Sequence, residues 1–147
     1  MTWTTLLAEN RLTAEPSSKV ELDKLRSIVT RCFSDINAVG LSDEQRFIVA
    51  YDAARTLALM IVRAEMYRPK KFGGHYNTFA GLEAADTAAF KATADYFQIC
   101  RVKRNDSEYD FAGGITLADA DELVKFVTQF AVDAEAWISS RHPTLSK

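Results

Sequence analysis

Two cysteines, Cys32 and Cys100, stand too far apart for a CxxC pair and are too few for a disulfide framework. They read as small buried thiols of a protein in a reducing, cytoplasmic setting. Histidine is as scarce: His75 and His142 lie far apart, no HExxH occurs, and neither a metal nor any other cofactor is expected. The charge lacks a dominant sign, since 18 Lys+Arg face 20 Asp+Glu for a formal −2, so no global basic field draws the chain onto nucleic acid and any such site must be local. Neither GxxxxGK[ST] nor GxGxxG is present, which excludes the usual triphosphate and dinucleotide loops. The longest apolar segment, FIVAYDAARTLALMIV, is broken by Asp52 and Arg55 and falls short of the roughly 20 residues that span a bilayer, so no membrane partner is expected. The opening MTWTTLLAENRL puts no basic stretch before an apolar one, and a secretory leader is not expected either.

What is present is helical punctuation. A hydroxyl residue followed three positions later by a side chain that can reach back to its amide occurs at Ser18/Glu21, Ser42/Gln45 and Thr116/Asp119. Apolar residues at helical spacing follow each: Leu22, Leu25, Val29 and Phe33; Phe47, Tyr51, Ala54, Ala58 and Ile61; Leu123, Phe126, Phe130 and Trp137. The pattern predicts helices over 17–38, 42–67 and 117–140. Gly40 closes the first, Pro69 with Gly73-Gly74 closes the second, and Gly113-Gly114 precedes the last. Between the glycine pairs the alanine-rich EAADTAAFKATADYF predicts a further helical region, with Leu82, Ala85, Ala89, Thr93, Tyr96 and Cys100 on one stripe and a break within 81–86. Trp3, Leu6 and Leu7 pin a short N-terminal helix. No stretch alternates at strand length, so the expectation for 1–147 is one all-α domain, an up-and-down bundle of four to five helices with essentially no sheet.

Chemistry concentrates in RVKRNDSEYDFAGG, residues 101–114. On a helical wheel Arg101, Arg104, Asn105 and Glu108 share one third of the circumference, whereas Tyr109 lies about 140° from Arg104, so the two cannot meet within one straight helix. The run has two readings: a solvated mixed-charge face, with the basic residues paired to Asp106, Glu108 and Asp110, or a binding site. RPKKFGGHYN offers a second concentration, with Arg68, Lys70 and Lys71 able to bring positive charge to a phosphate and His75 chemically versatile; it reads equally as an ordinary connection. Asp52 and Arg55, charged on an apolar helix, fix helix register as a pair or orient the Arg104 stripe. His142 reads as a helix-end residue, and DADE at 119–122 as acids at a helix N-terminus.

The run around Arg104-Asn105 resembles the HEPN family of helical domains, whose nuclease members carry an Arg followed by a polar residue, a His four to six positions on, and often a Tyr. SDEQRFIVAYDAARTLALMIVRAEMYRP is similar to the second long helix of that family, KKFGGHYNTF to the loop and short helix after it, and the likeness covers about residues 18–140. The resemblance implies a homodimer that joins two copies of the motif in one cleft, and it implies RNA as ligand. In family ribonucleases the His handles protons while the Arg stabilises phosphate charge, without a metal. Here Tyr109 stands where that His would be, and a phenol titrating near 10 is a poor base at neutral pH. Its ring can still stack on a base. The leading expectation is therefore a HEPN-like protein binding RNA or a nucleotide-bearing partner through Arg101, Arg104, Asn105, Tyr109, Arg68 and His75, in a defence or toxin–antitoxin setting. A protein-interaction module with a cognate protein partner is the alternative, and a ribonuclease recruiting His75 is the third.

Overall fold

The computed structural model of the chain describes residues 1–109 and 114–147, the side chains of 106–109 lying outside the description. The order is α1 (Trp3–Ala8), β1 (Leu12–Ala14), α2 (Lys19–Ile36), α3 (Asp43–Ala64), β2 (Tyr67–Pro69), α4 (Gly74–Ala85), α5 (Thr87–Tyr109), α6 (Leu117–Arg141) and a closing 3-10 turn, Pro143–Leu145. The expected all-α character holds, with five helices sharing the main core and α1 beside them. All three hydroxyl caps form: Ser18 accepts from the Glu21 amide, and Ser42 and Thr116 make reciprocal boxes with Gln45 and Asp119. Among the described residues no helix is long and apolar enough to cross a membrane.

Helix α3 is the axis of the molecule. Its buried residues, from Phe47 through Ala54 and Leu57 to Ala64, point in every direction, the signature of a helix surrounded by others, and α2, α4, α5 and α6 all pack against it. Each fully buried leucine or isoleucine there contributes roughly 1.5–3 kcal/mol. A chain of rings then ties the layers together: Tyr51 to Phe79 (5.9 Å between centroids), Phe79 to Phe97 (5.5 Å) and Phe97 to Phe130 (5.2 Å).

Three expectations are corrected. A two-stranded antiparallel sheet exists, pairing Leu12 with Pro69, Thr13 with Arg68 and Ala14 with Tyr67; three-residue strands are too short to show alternation. The second long helix consequently ends at Ala64, two turn-like residues before β2, with Met66 in the left-handed region (φ 67°), so neither Pro69 nor the glycine pair stops it. The stripe drawn through Leu82 to Cys100 is buried at Leu82, Ala85 and Cys100 but not at Ala89, because the extended backbone of Asp86 resets the helical phase. On α5 it is Phe90, Ala94, Phe97 and Cys100 that are buried, while Ala89 is exposed. Asp86 starts the new helix, Oδ1 accepting from the Ala89 amide at 3.1 Å and Oδ2 from Trp137 Nε1 at 3.1 Å. The break expected within 81–86 thus falls at Asp86, and Gly81 lies inside α4, where a Cβ would come within 2.8 Å of Val62 Cγ2.

Candidate functional site

The reset phase of α5 decides where its arginines go. Residues 90, 94, 97, 101 and 104 follow a helical stripe, so the apolar row that packs Phe90, Ala94 and Phe97 into the core continues as Arg101 and Arg104. Both guanidinium groups are thereby carried toward α3 and α4. Arg104 lies over the Tyr51 ring, 5.3 Å from its centroid, and Arg101 over the Tyr76 ring at 5.6 Å. Arg101 is steadied by Gln98: its Nε donates to Gln98 Oε1 at 2.9 Å, and Gln98 Nε2 donates to the Tyr76 carbonyl at 3.1 Å. Lys103, on another face, pairs with Asp119 instead. Asn105 follows partly buried, and Tyr109 ends α5 with its side chain outside the described residues.

Tyr51 sits at the end of the aromatic chain, fully buried, and a buried phenol needs a polar partner. It finds His75, whose Nδ1 lies 3.0 Å from the hydroxyl, with the two rings 5.7 Å apart. His75 is the second residue of α4, placed by Gly73 in the left-handed conformation (φ 68°). Gly73 is the N-cap of α4 and, among the described residues, no side chain caps that first turn, to which His75 belongs. Arg104 and His75, from different helices, thus meet on Tyr51.

The electrostatics follow from burial and from guanidinium charge. Desolvation, then Arg55, then Arg104 push the His75 pKa below its ordinary value, with Arg101 adding to them and Asp52 opposing, so the imidazole is neutral near pH 7. Desolvation drives the Tyr51 phenol upward against the pull of Arg104, Arg55 and Arg101, so it keeps its proton. Two hydrogen-bond arrangements result: the phenol donates to Nδ1 and leaves Nε2–H as a donor, or Nδ1–H donates to the phenol oxygen and leaves Nε2 as a base. Arg55 Nε is buried with no hydrogen-bond partner among the described residues. The charges of Arg55 and Asp52 thus act on His75 in opposite directions, Arg55 with Arg104 and Asp52 against them.

Arg68 is engaged elsewhere. It pairs with Glu15 and with Glu21 (2.9 Å), at the rim of a cleft of about 510 Å³ also lined by Lys24 and the buried Arg63. His142 caps α6 and joins Glu65 Oε2 at 3.1 Å, tying the ends of α6 and α3. Cys32 and Cys100 are free and buried, and burial pushes both thiols above the ordinary range, which disfavours the thiolate. Tyr51 is the participant that sequence reasoning placed only in an apolar stripe; a tyrosine amid alanines and leucines, whose hydroxyl must be satisfied, was the available signal. No family model, curated protein or solved structure matches the chain.

Proposed function

We propose that this chain is a HEPN-like helical protein that binds single-stranded RNA, holding a phosphate among Arg104, Arg101, Arg55 and His75. The observation that carries the reading is the meeting of Arg104 and His75 on Tyr51. Guanidinium groups bind phosphate oxygens in pairs, a neutral imidazole with Nε2–H adds a donor, and the α4 N-terminus adds its dipole. The Arg104-Asn105 resemblance supports RNA as the source of the phosphate. A cytoplasmic homodimer in a defence or toxin–antitoxin setting belongs to the same proposal, and sedimentation reads its mass. The test is binding of labelled single-stranded RNA across a salt series. Arg104→Ala should weaken binding on all sequences and lower the salt slope by about one. A wild type that retains no RNA refutes the reading and leaves the protein-interaction module.

A second reading has its own supporting observation, the bond that fixes His75 through Nδ1 and leaves Nε2 directed away from Tyr51. With the Nδ1–H arrangement, Nε2 takes the proton of an RNA 2′-hydroxyl as O2′ bonds to phosphorus, and the same proton is returned to the departing O5′ as the P–O5′ bond breaks. Arg104 stabilises the charge gathering on the phosphoryl oxygens. Cleavage by wild type in the presence of chelator, lost in both His75→Ala and Arg104→Ala, would establish this enzyme in place of the binder.

A further inference from the structure

The turn before α4 displays a side chain that the fold does not use. Phe72 is 98% exposed, between Lys71 and Gly73 in KKFGG, and contributes nothing to either apolar cluster. Yet the backbone beneath it is held on all sides. Asn77, 1% exposed, donates Nδ2 to the carbonyls of Phe72 (3.0 Å) and Lys70 (3.3 Å), and its own amide donates to Gly73 O at 2.9 Å. Gly74 N–H donates to Lys71 O at 3.1 Å, and Lys70 N–H to Arg11 O at 2.9 Å. The Nδ2 of a buried asparagine thus fixes the turn that projects a phenyl ring into water, while its Oδ1 accepts from Arg11 Nη1 at 3.4 Å.

We propose that Phe72 is a stacking platform for a base of single-stranded RNA, with Lys70 and Lys71 following the backbone that leads to the phosphate at His75 and Arg104. The proposal rests on the RNA reading above. Phe72 and His75 are three residues apart, a span of at most about 11 Å even if extended, so base and phosphate belong to neighbouring parts of one strand. Arg68 is committed to Glu15 and Glu21, whereas among the described residues no carboxylate pairs with Lys70 or Lys71. Aromatic rings beside a cationic track bind single strands with little sequence preference, because every base has a face to stack. One ring and two ammonium groups are a poor bilayer anchor, which takes a broad apolar face or about four to eight basic residues. Fixing the turn beforehand removes the ordering cost that a mobile loop would meet on binding.

The test compares wild type, Phe72→Ala, Phe72→Trp and Arg104→Ala on labelled single-stranded oligoadenylate, on abasic RNA of equal length, and on phosphatidylserine vesicles. Phe72→Ala should melt like wild type, weaken oligoadenylate binding by about 5- to 150-fold and leave the salt slope unchanged. Abasic RNA should bind wild type and Phe72→Ala alike. Phe72→Trp should keep the affinity, with tryptophan emission quenched by the stacked base. Four results overturn the proposal. Equal oligoadenylate binding by Phe72→Ala, with Arg104→Ala still weakened, removes the platform but keeps the phosphate site. An equal loss on abasic RNA, or a loss confined to vesicles, removes stacking. Absence of RNA binding by wild type removes the platform and the functional reading together.

Discussion

A double-mutant cycle across the Tyr51–His75 bond tests whether α3 and α4 are joined at the site as the structure has them. Tyr51→Phe removes one oxygen and leaves His75 Nδ1, 3.0 Å from the lost hydroxyl, without a partner. His75→Ala strands the converse group, a phenol at 0% exposure. A buried polar group left unsatisfied costs roughly 1–3 kcal/mol, so each single variant should lose that much stability. For a chain of this length that is a fall in melting temperature of roughly 3–9 °C. The double variant removes both partners and leaves neither group stranded, so it should be no less stable than the worse single variant, with a coupling of roughly 1–2 kcal/mol. Urea unfolding followed by circular dichroism at about pH 7.5, where His75 is neutral, supplies the four stabilities. Losses that add to within about 0.3–0.5 kcal/mol would refute the bond.

Arg63, 1% exposed, donates to Glu21 and to the carbonyls of Glu15, Pro16 and Tyr67. Arg63→Ala should therefore cost roughly 3–5 kcal/mol in urea unfolding, and a loss below about 1 kcal/mol would show that the network is dispensable. Desolvation raises the Glu21 pKa, but the bonds and charges of Arg63, Ser17 and Arg68 together hold it below its ordinary value; the stability this supplies is present above the unfolded carboxylate pKa and lost on acidification, and Arg63→Ala should blunt that acid limb. Gly81→Ala gains about 1 kcal/mol of helix propensity but drives a methyl into Val62, an overpacking that costs roughly 1–3 kcal/mol, so thermal unfolding should show net destabilisation, and a variant more stable than wild type would mean that α4 can back away from α3.

The helix starts were legible because capping is local: Ser18, Ser42 and Thr116 each need only a partner three residues on, and each caps in the structure. The break at Asp86 was legible as a region but not in its consequence, since the phase of α5 depends on one residue's backbone angles. That phase set Arg101 and Arg104 over Tyr76 and Tyr51, while the acidic residues of the mixed-charge reading, Asp106, Glu108 and Asp110, have side chains outside the described residues. The small sheet was hidden because its stability comes from pairing two segments far apart in sequence, and neither three-residue strand shows a period of its own. His75 could be named from sequence as a chemically versatile side chain, but its meeting with Arg104 required the packing of α3, α4 and α5, which no local pattern records.

The two functional readings of the cluster demand opposite responses to pH. Arg55, Arg104 and Arg101 all oppose protonation of His75 in the free protein, adding to desolvation. A phosphate entering among those guanidinium groups cancels part of their field, so it must raise the His75 pKa and draw a proton on binding. By linkage, whatever binds more tightly with proton uptake binds more tightly still as pH falls. RNA affinity should therefore rise between about pH 7.5 and pH 6, and the rise should vanish in His75→Gln, which keeps a donor but does not titrate. A general base works the other way, because only neutral imidazole accepts the 2′-hydroxyl proton, and cleavage would slow as pH falls through the pKa of the bound state. Measuring affinity and cleavage on the same RNA over that interval separates them. An affinity that is flat in wild type, or that rises equally in His75→Gln, would mean that the phosphate does not sit within reach of His75.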